Sequence, residues 1–227
     1  HRHAKRAEEY GTDALLVTGH EAAAHGGDVT SLVLVPSIVD TVKIPVIAAG
    51  GFADGRGLAA ALALGAEGIA MGTRFMTTKE SPLHEFFKKL SIEKDVTDTL
   101  YSDRFDGLPC RVLDTPSARK AIRKGLDLPA AFFTSQDIAR QLRLPYAKLF
   151  AGVVASGWKN ARQLAFMANA FKAIRIATEN GDNEKGVLTV GQVTGLVRDV
   201  PTVAELMERI MAEASQVRGR LDRAIPS

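Results

Sequence analysis

The chain has 227 residues, of which 46% are hydrophobic and 24% are charged. This balance is typical of a globular protein with one large domain or two small ones. The net charge of +3 is too small to indicate binding to nucleic acid or to a membrane surface. The single cysteine, Cys110, excludes an internal disulfide framework and favours a reducing compartment, so we expect a cytoplasmic protein. No apolar run reaches the ~18 residues that span a bilayer.

A polar helix opens the chain, and the first predicted strand follows it at residues 13–18. Because no strand precedes this helix in the sequence, we predict that the chain starts inside a domain. Only three strands are predicted before residue 80, whereas a (β/α)8 barrel has eight. Two interpretations stay open: the N-terminal part of a barrel is absent, or the sheet is small and open.

The loop after the first strand, residues 19–28, contains two histidines and two carboxylates flanked by glycines. A metal site of His20, Glu21 and His25 is the weaker interpretation, because the two histidines are five residues apart rather than four. We therefore expect no metal. His25 precedes two glycines at the edge where α/β proteins place their chemistry, so it is the better candidate for proton exchange or for stabilising an anion.

The stretch of residues 43–75 contains the clearest pattern. A short apolar strand, residues 44–49, ends at Gly50 and Gly51. A helix over residues 54–63 leads to a second strand, residues 68–71, which ends at Gly72 and Thr73. Strand, helix and strand at this spacing predict one right-handed unit of a parallel sheet. Two glycine turns at neighbouring strand ends let backbone N–H groups face an anion, so the pattern predicts a phosphate site.

Beyond residue 77 the pattern becomes mainly helical. The longest predicted helix covers residues 160–179, and its apolar face, which includes Leu164, Met167 and Phe171, is predicted to be core rather than a cofactor contact. Cys110 follows a turn-rich link and is interpreted as a structural cysteine. We divide the chain into residues 1–80, the last three βα units of a barrel; 81–185, a mainly helical substrate segment; and 186–227, a loop and helix that return to the barrel.

Four motifs resemble one known family. Glu-Ala-Ala-Ala-His-Gly-Gly at residues 21–27, Pro-Val-Ile-Ala-Ala-Gly-Gly-Phe-Ala-Asp-Gly-Arg-Gly at 45–57, Met-Gly-Thr-Arg-Phe at 71–75 and Lys-Glu-Ser-Pro-Leu-His at 79–84 are similar to the nitronate monooxygenase (2-nitropropane dioxygenase) family. This family of FMN-dependent barrels includes FMN enoyl-acyl-carrier-protein reductases and NADH:quinone reductases. The resemblance covers residues 1 to about 84 closely and residues 188–210 more weakly. Ala23 and Ala24 stand where the family usually has glycines.

The resemblance implies an α/β fold, specifically the C-terminal portion of a (β/α)8 TIM barrel with an added helical segment that helps to form the substrate pocket. The three strands would then be the sixth, seventh and eighth of the barrel. The cofactor implied is FMN. The resemblance also implies His25 as the catalytic residue and the following cofactor contacts: Gly27, Ala49, Gly50, Gly51, Met71, Gly72 and Thr73.

Three functions stay open from the sequence. The first is an FMN-dependent nitronate monooxygenase that oxidises nitronates or nitroalkanes with O2. The second is an NAD(P)H-dependent reductase of a quinone or an enoyl thioester on the same scaffold. The third is a barrel that binds a phosphate or nucleotide without redox chemistry. In each case the partner is a small molecule, and NAD(P)H use and a homodimer are left open.

Overall fold

The computed structural model describes residues 2–23, 25–141, 143 and 145–225. The strands are β1 (Leu15–Thr18), β2 (Val46–Ala49), β3 (Gly68–Ala70), β4 (Thr99–Ser102) and β5 (Cys110–Leu113). The helices are α1 (Arg2–Glu9), α2 (Ser31–Val39), α3 (Gly55–Ala63), α4 (Thr73–Met76), α5 (Glu85–Glu93), α6 (Pro116–Lys124), α7 (Leu128–Gln141), α8 (Tyr146–Ala155), α9 (Trp158–Asn180) and α10 (Val203–Ala224), and a 3-10 helix covers Gln192–Leu196.

A parallel sheet in the order β1-β2-β3 forms the first layer. The chain crosses from β1 to β2 through α2 and from β2 to β3 through α3. Because parallel strands end at the same edge, the three strand ends meet there. The predicted α/β fold and its strand–helix–strand unit are confirmed. The assignment of this sheet to the end of an eight-stranded barrel stays a prediction.

Helices α2 and α3 cover one face of the sheet. Val35 of α2 and Ala61 of α3 are fully buried against Ala48 of β2, with Phe52 and Ala66 completing the cluster. The short apolar run of β2 forms a strand because its side chains are buried beneath these helices. On β1, by contrast, the side chain of Leu16 is 61% exposed within the described residues.

The segment between residues 81 and 185 contains an antiparallel hairpin of β4 and β5 in addition to its helices. This hairpin was not predicted from the sequence, where only the turn between its strands was identified. The two four-residue strands are too short for alternation to stand out. The predicted core face of α9 is also wrong in part, because Met167 and Phe171 are about half exposed.

The C-terminal residues return to the sheet. Glu213 of α10 accepts a hydrogen bond from the Gly55 N–H at the start of α3, at 2.8 Å. The buried guanidinium of Arg74 in α4 donates to Asp199 at 2.7 Å, and Arg209 of α10 donates to the same carboxylate. No helix among the described residues is both long and apolar enough to cross a membrane.

Candidate active site

The loop after β1 packs directly on the glycine turn after β2. Gly50 and Gly51 have φ values of +89° and +83°, which residues with a Cβ rarely adopt. An added Cβ on Gly50 would lie 3.0 Å from the Gly19 carbonyl oxygen, and one on Gly51 would lie 3.3 Å from Glu21 Cβ. The turn therefore requires glycine both for its backbone conformation and for its close approach to the loop.

The two predicted anion-binding turns present free backbone donors. Among the described residues, the N–H groups of Gly50, Gly51 and Gly72 donate to no acceptor. Gly72 is exposed, and an added Cβ would meet nothing within 4 Å. The Thr73 side chain is already engaged, since its Oγ1 accepts from the Gly191 N–H at 2.9 Å. Its O–H hydrogen and its second lone pair are not used by this bond.

The other predicted cofactor contacts lie around these turns. Ala49 is buried, and its carbonyl accepts from the Gly19 N–H at 2.9 Å. Met71 packs half-buried against the sheet core. Gly27 is exposed, and an added Cβ would meet nothing within 4 Å. Their roles as ligand contacts stay predictions, as does the effect of Ala24, which lies outside the described residues.

Glu21 serves the structure of the loop. Its carboxylate accepts from the Ser31 N–H at 3.0 Å and from the Ser31 hydroxyl at 3.1 Å, at the first turn of α2. The same hydroxyl lies 2.7 Å from the carbonyl oxygen of Gly50. A carboxylate at a helix N-terminus is stabilised by the free N–H groups there. Glu21 and Ser31 thus join the loop to α2 and to the glycine turn.

The β4–β5 hairpin holds the other side of the loop. Tyr101 donates from its hydroxyl to the Gly26 carbonyl at 2.9 Å. Arg111, which is 4% exposed, donates to the His20 carbonyl at 3.1 Å. Its guanidinium lies over the Tyr101 ring, with 5.1 Å between the carbon and the ring centroid. Burial lowers the pKa of Arg111 from its usual value.

The contacts of His20 indicate which tautomer its ring adopts. Arg111 Nη2 lies 3.0 Å from His20 Nε2. Because a guanidinium has only donors, Nε2 must be the acceptor, and the proton resides on Nδ1, which donates to the Gly27 carbonyl at 2.8 Å. One ring nitrogen bonds within the loop and the other bonds to Arg111 of β5. His20 is therefore a structural histidine, and the metal set of His20, Glu21 and His25 is not assembled.

His25 pairs with a carboxylate that the sequence analysis did not identify. His25 Nε2 lies 2.7 Å from Asp106 Oδ2, and the side chains are 48% and 11% exposed. Asp106 is fixed in the hairpin turn, since its Oδ1 accepts from the Leu108 N–H at 3.1 Å. Gln163 of α9 donates to the Asp106 carbonyl at 2.9 Å. A buried carboxylate thus orients an exposed imidazole at the strand-end edge.

Cys110 lies beneath this pair. Burial, together with the nearby Asp106 charge, raises the pKa of the Cys110 thiol to about 12. The possible ligand atoms of His25, Asp106 and Cys110 lie within 4.8 Å of one another. These are ligand types that Zn²⁺ accepts, but a metal binds the thiolate, which this environment disfavours. The interpretation of Cys110 as a structural cysteine agrees with its burial, and the absence of a metal stays a prediction.

Fold and site together define the class of protein: an α/β protein with a glycine turn at its strand edge beside a histidine–carboxylate pair. The nitronate monooxygenase family model matches residues 1–213. The chain belongs to the nitronate monooxygenase family.

Several relatives are similar over most of the chain. A Rhodococcus jostii protein named (3aS,4S,5R,7aS)-5-hydroxy-7a-methyl-1-oxo-octahydro-1H-indene-4-carboxyl-CoA dehydrogenase is 38% identical over 94% of the chain and 62% of its own length. A protein of the same name from Mycobacterium tuberculosis is 36% identical over the same shares. A Staphylococcus aureus protein named probable nitronate monooxygenase is 39% identical over 54% of the chain and 37% of its own length.

Solved structures agree with this fold. FabK from Thermotoga maritima matches with a TM-score of 0.75 and 35% identity, over 98% of this chain and 60% of that chain. A nitroalkane oxidase from Streptomyces ansochromogenes matches with a TM-score of 0.70 and 24% identity, over 96% and 56%, which bears on the fold alone. The chain thus spans about three fifths of the length of its first relatives.

Tyr101→Phe tests the hairpin's hold on the loop. Loss of the hydroxyl removes the bond to Gly26, worth about 1 kcal/mol, so amide hydrogen exchange in residues 19–30 should accelerate about fivefold. Tyr10→Phe is the matched control, because Tyr10 is 82% exposed. Exchange by mass spectrometry that is unchanged in Tyr101→Phe would show that the hairpin does not restrain the loop.

The environment of Cys110 predicts low thiol reactivity. Because the folded pKa lies above that of an unfolded thiol, the folded form keeps its proton at pH 8, and the stability gained from burial is lost only as pH rises toward 12. Iodoacetamide at pH 8 should label the native thiol more than about a hundredfold more slowly than the denatured one. Equal rates by mass spectrometry would contradict the burial.

Proposed function

We propose that this chain supplies the phosphate-binding and proton-transfer edge of an FMN-dependent oxidoreductase. The observation that carries the proposal is the 2.7 Å pair of His25 and Asp106, which lies on the loop that packs against the Gly50–Gly51 turn. Family membership supports the assignment. In this proposal, β1, β2 and β3 are the last three strands of the barrel.

The residues present fit a phosphate group. The N–H groups of Gly50, Gly51 and Gly72 donate to no acceptor among the described residues, and glycine allows a ligand to approach the backbone closely. The N–H and the remaining hydroxyl hydrogen of Thr73 add to this set. FMN, when bound, supplies the redox chemistry. The chain supplies position, charge complementarity and a proton-transfer group.

The roles of His25 and Asp106 follow from their hydrogen bond. The Asp106 carboxylate accepts from Nε2–H, so the lone pair of a neutral His25 lies on Nδ1 and faces away from Asp106. With a neutral nitroalkane, Nδ1 would take the proton from the carbon beside the nitro group. With an anionic nitronate, the ring would act as a hydrogen-bond and charge partner. The buried charge of Asp106 stabilises the imidazolium that forms.

Two substrate classes have specific support. The family model favours nitronates and nitroalkanes. A thioester substrate, oxidised or reduced with a nicotinamide partner, is favoured by the two relatives named CoA dehydrogenases, which match 94% of the chain. The relative named probable nitronate monooxygenase matches 54%. A non-redox phosphate binder is the third candidate.

His25→Asn should lower turnover by about 10²–10⁴-fold, the usual contribution of a positioned acid–base group, with flavin content nearly unchanged. Asp106→Asn keeps the size of the side chain and removes its charge, so a smaller loss with an altered pH profile is expected. The measurement is steady-state turnover with propyl-2-nitronate and O2, and separately with NAD(P)H and an enoyl-CoA.

His84→Ala is the matched control, because the side chain of His84 is exposed and accepts a hydrogen bond from the Phe86 N–H at the start of α5. The His84→Ala variant should keep wild-type turnover. Full turnover of both substrate classes by the His25→Asn variant would contradict the proposed catalytic role of His25. Activity in only one assay would select that substrate class.

A further inference from the structure

A basic groove lies next to the candidate site, between the β4–β5 turn, the end of α6 and the start of α9. It encloses about 440 Å³, which is within the range of small-molecule sites. Its lining is Asp103, Arg104, Gly107, Lys124, Gly125, Leu126, Trp158, Lys159, Arg162, Gln163 and Phe166. The redox proposal assigns no role to this groove.

The charge in the groove is one-sided. Four cations line it against one carboxylate, Asp103. Lys124 is paired with Asp127. Among the described residues, no carboxylate forms an ion pair with Arg104, Lys159 or Arg162. Three unpaired cations around one concave surface attract an anion that carries several charges.

The start of α9 adds to this positive field. α9 has 23 residues, and its N-cap is Gly157, which provides no side-chain cap. The first N–H groups of a helix have no partner within the helix and carry the positive end of its dipole. Lys159 and Arg162 lie in the first two turns, on the same groove. Helix terminus and side chains therefore converge on one anion-binding position.

An aromatic surface lies beside these cations. The side chain of Trp158 is 75% exposed, which is unusual for a large apolar ring. The Arg162 guanidinium lies 5.5 Å from the centroid of the Phe166 ring, which holds it over the groove. A flat indole next to phosphate-binding cations matches the chemistry of a nucleotide, whose base stacks while its phosphates pair with cations.

The groove is one residue away from the histidine–carboxylate pair. Gly107 lines the groove and directly follows Asp106, the partner of His25. Gln163 lines it as well and donates to the Asp106 carbonyl at 2.9 Å. The groove therefore borders the turn that carries Asp106.

We propose that this groove binds the adenosine phosphate end of a coenzyme-type substrate or cosubstrate. The shared chemistry is an adenine base that stacks on Trp158 and phosphates that pair with Arg104, Lys159 and Arg162. Two sources have this chemistry: a CoA thioester, with its 3′-phosphate, and NAD(P)H. Binding in the groove is independent of the redox proposal, and only its use in turnover rests on that proposal.

The test uses the fluorescence of Trp158, which is the only tryptophan of the 227 residues. The purified protein is titrated with adenosine 3′,5′-bisphosphate, with ADP and with inorganic phosphate. Saturable quenching by a nucleotide at lower concentration than phosphate is expected, and Trp158→Phe should abolish the signal. Tighter binding of the bisphosphate indicates a CoA-type ligand, and tighter binding of ADP indicates a dinucleotide.

The double variant Lys159→Ala/Arg162→Ala should raise the nucleotide Kd by about tenfold or more, because it removes two charged partners. Lys89→Ala, an exposed lysine of α5 outside the groove, should leave it unchanged. Absence of saturable quenching, or a Kd that the double variant does not change, would overturn the proposal. If His25→Asn loses turnover but still binds the nucleotide, binding in the groove does not depend on the proposed catalytic role of His25.

Discussion

The loop of residues 19–30 is clamped from two opposite sides, and the candidate site depends on this constraint. On the sheet side, Ser31 joins the Glu21 carboxylate to the Gly50 carbonyl. On the hairpin side, Tyr101 and Asp106 reach the loop through side-chain hydrogen bonds. The imidazole of His25 is about half exposed, so its position comes from these bonds rather than from packing. The imidazole that we propose as the proton-transfer group can then stay open to a substrate and still have a fixed orientation.

The hairpin side of the clamp is energetically unusual because its centre is a buried cation with neutral partners. Arg111 donates to the ring and carbonyl of His20 and to the Thr99 hydroxyl. Its Nε has no hydrogen-bond partner among the described residues. Burying a guanidinium that is hydrogen-bonded only to neutral groups is costly, and burial is also the largest cause of the lowered pKa of Arg111. The contacts with His20 and the Tyr101 ring offset part of this cost.

The sheet and its glycine turns could be predicted because their signals are local. The strand runs, the positive-φ glycines and the helix between them lie within about thirty residues. The clamp could not be predicted, because Tyr101, Asp106 and Arg111 contact the loop across 75, 81 and 91 residues. The Asp-Gly pair at residues 106–107 indicated a turn, and only the folded structure brings that carboxylate to His25. The prediction that the apolar face of α9 is core was wrong in part for a related reason. Periodicity identifies an amphipathic helix, but it does not identify what covers the apolar face.

The central claim is that the glycine turns and the His25–Asp106 pair belong to one flavin site, and the absorption spectrum of the purified protein tests it most directly. The account predicts the two absorption bands of a bound flavin, with FMN released on denaturation. Gly51→Val, which places a branched side chain at a φ of +83° and against Glu21, should reduce the bound flavin strongly. A colourless protein that contains no flavin and gains none when FMN is added would contradict the account.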